Sequence, residues 1–321
     1  MRNQSLIEIG NVLKKYESFA IFSHANADGD AFGSILGLGM SLRHLDKKVS
    51  YFLPEPVPKA FAFLRDYDLI NKAHINGTDV GILLDASDID RINEFGKHFN
   101  TFPITINIDH HITNNHFATY NYVDENAAST TSIILELIEK TNLPIDKDIS
   151  NALYTGLITD TGSFHYANVN ENAFLTAAKL VKYGAEPAYI AKEIFEEDTP
   201  AHLKLAGIAL ERITIKGKIV FSYISLKDMN ELNATEEDTE GIVDLIRKYK
   251  GAEVAILFKE VKEDEVRVSL RSKEKNISVK EVAVMFGGGG HNAAAGCTVH
   301  TSLYEAIKSV IAAVQEKVYG I

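Results

Sequence analysis

The sequence predicts an α/β protein with two domains: an N-terminal domain built on a parallel β-sheet with helices on both faces, and a smaller C-terminal α+β domain. Three observations lead to this prediction. Up to about residue 184, short apolar runs alternate with helical patterns, and the connections between the runs are too long for hairpins. Beyond residue 213 the pattern changes to closely spaced strands separated by turn residues. A chain of 321 residues is also long enough for two domains.

We predict the domain boundaries from the residues that interrupt the helical patterns. The N-terminal domain is expected at residues 1–186, a helical connector at 187–213 and the C-terminal domain at 214–321. Gly184, Pro187 and Pro200 separate the helices of this stretch, because glycine commonly follows a helix end and proline is tolerated in the first turn. We expect the active site in the cleft between the two domains.

The elements of the N-terminal domain follow from apolar periodicity. They are, in order, a helix at 6–16, a strand at 19–22, a helix at 31–45, a strand at 48–53, two buried strands that end at Asp85 and Asp109, a helix capped by Ser129 and Thr130, and a helix at 149–158 that runs into Asp160. The residues at 54, 56 and 58 are prolines, which end regular structure between two strand and helix units.

The C-terminal domain is predicted to contain two hairpins and two helices. The first hairpin turns at Lys216 and Gly217, and the second joins the runs at 252–258 and 265–272. A helix at 278–286 precedes a run of four glycines at 287–290, and a last helix covers 302 to about 318. For the acidic run at 236–240 we expect a solvated face in the first turn of a helix, where negative charge complements the helix dipole.

Composition narrows the class of protein. With 33 basic and 44 acidic residues the net charge is −11, which disfavours non-specific binding to long nucleic acid. The single cysteine, Cys297, fits a reducing compartment. Residues 1–8 lack the apolar core of a signal peptide, and no run approaches the roughly 18 apolar residues of a membrane span. We therefore expect a cytoplasmic protein with no membrane partner.

Polar side chains follow the ends of several predicted elements. The candidate ligands of a divalent metal are His24, Asp28, Asp30, Asp85, Asp109, His110 and Asp160. In open α/β sheets, ligands bind outside the carboxyl ends of the strands, where these side chains are expected. Imidazole and carboxylate groups suit first-row metals. For the segment at 22–33 taken alone, a helix cap or turn explains the aspartates equally well.

Crowding of carboxylates decides between these two interpretations. Several carboxylates in one cleft repel one another unless cations neutralise them. Two divalent cations would relieve this repulsion, activate a water molecule and stabilise both the attacking and the leaving oxygen of a displacement at phosphorus. The arrangement therefore favours the hydrolysis of a phosphoester.

Five segments in this order resemble the DHH phosphoesterase family. They are H-A-N-A-D-G-D at 24–30, L-L-D-A-S at 83–87, I-D-H-H at 108–111, T-D-T-G-S-F at 159–164 and, resembling the DHH-associated C-terminal domain, G-G-G-G-H-N-A-A-A-G at 287–296. Within this family the arrangement is most similar to the NrnA-type enzymes. The resemblance implies degradation of very short RNA and removal of phosphate from 3′-phosphoadenosine 5′-phosphate (pAp).

The resemblance also implies a role for each residue of the site. His24 and Asp28 would hold one ion; Asp30, His110 and Asp160 would hold the other; Asp85 would bridge both. His111 would act on the substrate phosphate or the leaving group, and Asp109 would orient a metal-binding imidazole. Manganese is the expected ion, although the ligands would also accept magnesium, cobalt or zinc.

Substrate is expected to contact residues of both domains. Arg271 can meet a phosphate with two parallel hydrogen bonds, and the glycines before His291, namely Gly288, Gly289 and Gly290, allow backbone N–H groups to approach phosphate oxygens. A solvated strand end for Arg271 and a flexible glycine loop are the alternatives. His165 stands where arginine is common in similar enzymes, and imidazole is a pH-dependent phosphate partner. Asn292 likewise replaces a basic residue.

The sequence thus predicts a two-metal phosphodiesterase that acts on an end of very short oligonucleotides, with pAp phosphatase activity as a second reaction. The expected partners are short oligoribonucleotides or pAp-like nucleotides, without long duplex nucleic acid, and a homodimer is an open alternative to a monomer. The other functions left open are a phosphodiesterase for linear pApA, a single-strand exonuclease and a pyrophosphatase-like hydrolase. A non-catalytic nucleotide sensor is the alternative from a different class.

Overall fold

A computed structural model describes residues 3–75, 77–196, 198–274 and 277–319. The chain divides into two compact units, Met1–Glu197 and Asp198–Ile321. The division falls within the stretch at 187–213, where we expected a connector. Within the described residues, none of the helices combines the length and the apolar character that crossing a membrane requires.

The first unit contains a parallel sheet of five strands, which confirms the predicted sheet. Its strands are β1 (Ser18–Phe22), β2 (Lys48–Phe52), β3 (Val80–Leu84), β4 (Ile104–Asp109) and β5 (Tyr120–Val123), in the order β2-β1-β3-β4-β5. Its helices are α1 (Leu6–Lys15), α2 (Gly29–Arg43), α3 (Gly96–Phe99), α4 (Thr130–Thr141), α5 (Lys147–Asp160), α6 (Glu171–Lys182) and α7 (Pro187–Phe195). The sequence did not predict β5, which is only four residues long.

Both faces of this sheet are buried, but the two covers differ. On one face Phe19, Ile21 and Ile82 join a large core formed with α1, α2, α4 and α5. On the other face Phe22 and Leu83 pack with residues of a 3₁₀ segment, Ile89–Phe95, and of α3. Strands buried on both faces read as continuous apolar runs, which is why these strands could be recognised in the sequence.

Helix α2 is central to this unit and is buried on all sides from Gly29 to Leu42. It packs closely on α5: a Cβ atom at Gly33 would lie 2.4 Å from the carbonyl oxygen of Ala152. This close approach fixes the start of α2 relative to the end of α5. As a result Asp28 and Asp30, at one end of α2, are held near Asp160, at the end of α5.

The second unit contains a mixed sheet of six strands. The strands are β6 (Thr214–Lys216), β7 (Ile219–Ile224), β8 (Val254–Lys262), β9 (Glu265–Ser272), β10 (Gly289–Gly290) and β11 (Ala294–Val299), in the order β10-β11-β9-β8-β7-β6. The helices are α8 (Pro200–Glu211), α9 (Leu226–Glu231), α10 (Ile242–Arg247), α11 (Val279–Met285) and α12 (Leu303–Tyr319). Both predicted hairpins, β6-β7 and β8-β9, are confirmed.

Helices cover the two faces of this second sheet to different extents. Residues of α11 and α12 pack against the side chains of one face, including Ile256 and Val268. On the opposite face, α8 and α10 pack mainly over β7 and β8, including Val220 and Leu257. The outward side chains of β9 and β11 on this opposite face are therefore left partly uncovered.

Candidate metal centre

The neighbouring strands β1, β3 and β4 end at one edge of the first sheet. His24 lies two residues beyond β1, Asp85 directly follows β3, and Asp109 is the last residue of β4. Because parallel strands point the same way, their carboxyl ends meet at this edge. The register therefore brings together side chains from segments more than 20 residues apart in sequence.

Asp85 lies at the middle of the cluster. Its Oδ2 is 3.5 Å from Nε2 of His24, and its Oδ1 is 3.7 Å from Nε2 of His110. The residue is 2% exposed and adopts a left-handed backbone conformation with φ of 57°. Such conformations are uncommon outside glycine and concentrate at functional sites.

His24 and His110 both direct Nε2 of the imidazole ring towards the carboxylates. Nδ1 of His24 lies 2.8 Å from the carbonyl oxygen of Ala25, and Nδ1 of His110 lies 3.3 Å from that of Ala127. A carbonyl oxygen only accepts, so each Nδ1 carries a proton, and Nε2 is the ring nitrogen that each histidine can offer to a metal ion. A metal-binding histidine is commonly held in this way.

Asp28 and Asp30 are fixed by the starts of two different helices. Asp28 caps α2, accepting hydrogen bonds from the backbone N–H groups of Asp30 and Ala31 at 3.1 Å. Asp30 instead reaches the start of α4, where its two oxygens accept hydrogen bonds from the N–H groups of Thr130 at 2.6 Å and Thr131 at 2.9 Å. Asp28 therefore caps α2 and also belongs to the cluster, so the two interpretations of this residue are compatible.

Two residues that the sequence analysis left outside the site support its carboxylates. The hydroxyl of Thr130 donates to Asp85 at 3.0 Å, in addition to the backbone contact with Asp30. The side-chain amide of Asn168 donates to the carbonyl oxygens of Ala128 at 2.8 Å and Asp160 at 3.0 Å. The sequence analysis assigned Thr130 to a helix cap, and nothing in the sequence marks Asn168.

Asp109 holds a different imidazole from the one we expected. Its Oδ1 lies 2.7 Å from Nδ1 of His111, and its Oδ2 accepts a hydrogen bond from the side-chain amide of Asn114 at 2.7 Å. The sequence led us to expect a contact with a metal-binding imidazole, but Nδ1 of His110 faces Ala127 instead. His110 and His111 are consecutive, and the direction of their rings cannot be read from the sequence.

The electrostatics of the cluster show an excess of negative charge. Burial, followed by the nearby carboxylates of Asp85 and Asp160, raises the pKa of Asp30 well above its usual value. Burial also raises the pKa of Asp160 to about 7. Burial alone would raise the pKa of Asp85 too, but the imidazoles of His24, His110 and His111 together outweigh it and lower the pKa below its usual range. Added cations would relieve this repulsion.

The donor atoms fit divalent metal ions. Three groups have ligand atoms within 4.8 Å of one another: His24, Asp28 and Asp85; Asp30, His110 and Asp160; and Asp85, His110 and His111. Oxygen and imidazole nitrogen donors of this kind suit manganese, magnesium and zinc. In the third group Nδ1 of His111 already faces Asp109. The first two groups are therefore the better ligand sets.

His111 is suited to transferring a proton. The hydrogen bond with Asp109 raises the pKa of His111 to about 9, although burial opposes it. The imidazole is therefore protonated at neutral pH, with Nδ1 bonded to Asp109. Its side chain is 43% exposed, so the Nε2 proton is accessible to a ligand.

The predicted substrate contacts of the second unit lie on β9 and around β10. Arg271 on β9 is half-buried, and its Nε lies 3.4 Å from Asp244. Gly288 donates its N–H to the carbonyl of Ala283 at 2.9 Å, as part of the end of α11. That N–H is therefore not available to a phosphate, contrary to our expectation for the glycine run. Instead, the lack of a side chain matters at Gly288, since a Cβ atom there would lie 2.2 Å from the carbonyl oxygen of Gly296.

The remaining predicted residues are exposed. Gly289 and Gly290 form β10 and pair with Gly296 and Ala295 of β11, and His291 begins the turn between the two strands. In the first unit, Nδ1 of His165 lies 2.9 Å from the carbonyl oxygen of Ser163. Both histidines are on exposed turns, where a ligand can reach them.

Comparison with known proteins gives matches in both units. Residues 18–157 match the model of the DHH family, N-terminal domain, and residues 216–320 match that of the DHHA1 domain. A protein of Thermus thermophilus, named bifunctional oligoribonuclease and PAP phosphatase NrnA, is 32% identical over 317 residues. That match covers 96% of this chain and 93% of the relative.

Two solved structures share the fold. An exopolyphosphatase-related protein from Bacteroides fragilis has a TM-score of 0.89 and 24% identity, over 97% of this chain and 95% of its own. RecJ from Thermus thermophilus, in complex with Mn²⁺, has a TM-score of 0.57 and 13% identity, over 98% of this chain and 55% of its own. At these identities the two structures establish similarity of fold alone.

Proposed function

Because this chain belongs to the DHH family of phosphoesterases, we propose that it is a two-metal phosphodiesterase that hydrolyses very short oligoribonucleotides from an end and removes the 3′-phosphate of pAp. The resemblance drawn from the sequence motifs is thereby confirmed at the level of the family. The Thermus thermophilus relative carries both activities in its name and aligns over nearly the whole chain. The observation that carries the proposal is the cluster of carboxylates and imidazoles around Asp85.

In this proposal the cluster holds two ions. His24 and Asp28 bind one, Asp30, His110 and Asp160 bind the other, and Asp85 contacts both. Two of the groups of donor atoms described above agree with these sets. Manganese is the proposed ion, in line with RecJ, whose solved structure contains Mn²⁺. When bound, such ions polarise the phosphoryl group and activate the attacking water.

His111 supplies the proton for the leaving group. Its Nδ1 is bonded to Asp109, so the proton on Nε2 is the one that can pass to the departing oxygen. The hydrogen bond with Asp109 raises the pKa of His111, which favours the acid form that this role requires. Asp109 is fully buried and is itself held by Asn114, which keeps the imidazole in one orientation.

Arg271 is proposed to bind a phosphate of the substrate. Its guanidinium donates from Nη1 to the carbonyl oxygen of Leu270 at 3.2 Å, and its Nε lies 3.4 Å from Asp244. The contact with Asp244 is a weak ion pair that a phosphate can replace. His291 and His165 offer further polar contacts from exposed turns. The net charge of −11 disfavours a long nucleic-acid chain and agrees with a short substrate.

A hydrolysis panel tests the proposal. The purified chain is incubated with Mn²⁺ and di- to pentaribonucleotides, pAp, linear pApA, long single-stranded DNA, pyrophosphate or polyphosphate. We expect turnover of the short ribonucleotides and of pAp, and loss of both activities in EDTA.

Each alternative function has its own pattern in this panel. Preference for long single-stranded DNA would identify an exonuclease, and turnover of phosphoanhydrides alone would identify a pyrophosphatase or polyphosphatase. Linear pApA cleaved far faster than other dinucleotides would identify a dinucleotide-specific phosphodiesterase. Nucleotide binding without any turnover would contradict the enzyme and indicate a sensor.

A further inference from the structure

One face of the second sheet carries an open row of polar side chains. Along β9 the residues Val266, Val268 and Leu270 are buried, whereas Arg267, Ser269 and Arg271 alternate with them on the opposite face. Their partners in the neighbouring strands extend this face: Lys259 of β8 and Thr298 of β11 pair with Arg267, and Gly296 pairs with Ser269. The face therefore carries cations at two positions along β9, Arg267 with its neighbour Lys259 and then Arg271. Two small residues, Ser269 and Gly296, lie between these positions.

These residues line a groove of about 870 Å³. Its cations include Lys259, Arg267 and Arg271, and its floor includes Ser269 and Gly296. Arg267 and Arg271 are four residues apart on one strand, about 13 Å at a rise of about 3.3 Å per residue. At that separation the two arginines can contact different phosphates of one chain.

An acidic side chain lies beside Lys259 and Arg267. The carboxylate of Glu236 lies 3.2 Å from Nζ of Lys259 and also contacts the guanidinium of Arg267. The run at 236–240 is therefore only in part the solvated helix start that we expected: Glu236, Glu237 and Glu240 are exposed at a short 3₁₀ helix, but Glu236 is paired with two cations. Asp238 of the same run is buried and accepts hydrogen bonds from Thr235.

The contacts of Glu236 are of a kind that a phosphate can displace. The side chain of Glu236 is 58% exposed, and ion pairs with exposed groups contribute only about 0–1 kcal/mol. The side chain of Lys259 is 13% exposed, and the hydroxyl of Thr239 lies 3.0 Å from its Nζ. Lys259 therefore stays directed into the groove when Glu236 moves away.

We propose that Lys259 and Arg267 form a second phosphate subsite, which binds a backbone phosphate of an oligoribonucleotide, and that Glu236 occupies this subsite until the substrate displaces it. The inference rests on the proposed function, because it assigns that enzyme's preference for chain length to two cations. A substrate as small as pAp would use Arg271 alone in this groove. A chain of several nucleotides would contact Arg271 and also the subsite formed by Lys259 and Arg267.

Calorimetric titration in EDTA tests the subsite without hydrolysis. The ligands are pentaadenylate, pAp and inorganic tripolyphosphate, and the proteins are the wild type, Arg267→Gln and Glu236→Gln. We expect Arg267→Gln to bind pentaadenylate about tenfold more weakly, the loss typical of one hydrogen bond to a charged group. Glu236→Gln should bind it roughly two- to fivefold more tightly, since a weak competing ion pair is removed. The affinity of both variants for pAp should stay within about twofold of the wild type.

Two controls separate this effect from a general change of charge. Lys262→Gln and Glu231→Gln alter the same charges at exposed positions that do not line the groove. They should leave all three affinities unchanged. In the double variant Glu236→Gln with Arg267→Gln, the gain from Glu236→Gln should shrink, and the salt dependence for pentaadenylate should fall by about 0.7 in slope for each lost phosphate contact.

Several results would overturn the subsite. Arg267→Gln could weaken pAp and pentaadenylate equally, or Glu236→Gln could leave pentaadenylate binding unchanged. Tripolyphosphate bound as tightly as pentaadenylate, with the same loss in Arg267→Gln, would show that the groove recognises phosphate alone. Because the titrations contain no metal, they are independent of the hydrolysis panel, and failure of the catalytic proposal remains distinguishable.

Discussion

The buried carboxylates around Asp85 in the first unit and the buried Asp228 in the second unit have different partners. Around Asp85, the buried Asp30 and Asp160 face other carboxylates, and burial raises the pKa of Asp160 to about 7. In the second unit, burial alone would raise the pKa of Asp228, but the guanidinium of Arg212 and the hydrogen bonds from Ser225 together outweigh it and lower the pKa to about 2. The cluster around Asp85 has more anions than cations, whereas Asp228 is paired with a cation of its own.

This difference bears on the kind of ligand that would suit each region. Buried carboxylates without a cation are costly, so the first cluster needs positive charge from outside, as divalent metal ions supply. The cations of the groove already have acidic partners, Glu236 and Asp244, but these contacts are exposed enough to exchange for phosphate. Variants that remove a charge should therefore act on metal binding in the first unit and on substrate affinity in the second.

The largest effect is expected for Asp85→Asn. The substitution keeps the shape of the side chain but removes the charge between His24 and His110. We expect kcat for pAp with Mn²⁺ to fall by more than about a hundredfold, because removal of a supporting residue alone commonly costs 10–100-fold. The rise in melting temperature on adding Mn²⁺ should also be largely lost.

Asp90→Asn is the matched control for that variant. Asp90 is an exposed residue of the 3₁₀ segment Ile89–Phe95 in the same unit, and its change removes the same charge. It should keep both the activity and the stabilisation by Mn²⁺. Substantial Mn²⁺-dependent turnover in Asp85→Asn would contradict the proposed contact of Asp85 with both ions.

A smaller loss is expected for Thr130→Val. Valine keeps the volume of threonine and the backbone N–H that binds Asp30, but removes the hydroxyl that donates to Asp85. We expect about 10–100-fold weaker Mn²⁺ binding by calorimetry, as for other residues that orient metal ligands. Thr130→Ser should restore most of the affinity. Unchanged Mn²⁺ affinity in the valine variant would mean that the hydroxyl does not position Asp85.

Arg271→Gln tests the proposed substrate contact in the second unit. It should raise KM about tenfold for pAp and for short oligoribonucleotides, as expected for one lost hydrogen bond to a charged group, with kcat changed only a few-fold. Stabilisation by Mn²⁺ should equal that of the wild type, which separates this variant from Asp85→Asn. An unaltered KM would exclude Arg271 as a substrate contact.

Much of the metal cluster could be predicted from the sequence because of simple geometry. Buried parallel strands read as apolar runs, and polar residues directly after them must meet at one edge of the sheet. His24 and Asp85 were found in this way. The same argument finds Asp109, because it ends the neighbouring strand.

Contacts between distant segments could not be predicted. Asn168 reaches Ala128 and Asp160, and Thr130 reaches Asp85, through packing that no local pattern encodes. The acidic run at 236–240 looked solvated because its partners Lys259 and Arg267 lie on strands more than 20 residues away. The sequence shows that the run is acidic, but which cations its side chains contact depends on the fold.

The smallest effect on activity, but a clear effect on stability, is expected for Asp228→Asn. Asp228 pairs with both terminal nitrogens of Arg212 and caps α9 through Ser225. Because the folded pKa of about 2 lies below the usual 3.8, the ionised group stabilises the fold above pH 3.8, and this contribution is lost as the pH falls through 2. The variant should lose about 2 kcal/mol at pH 7, measured by urea unfolding with tyrosine fluorescence, and the loss should shrink below pH 4. Asp264→Asn, on an exposed turn, should show neither effect. A loss that does not vary with pH would assign the role of Asp228 to packing rather than charge.

For the metal-free cluster of the first unit we expect the opposite dependence of stability on pH. Since the pKa of Asp160 is raised to about 7, its protonated form favours the fold, and that contribution is lost as the pH rises through 7.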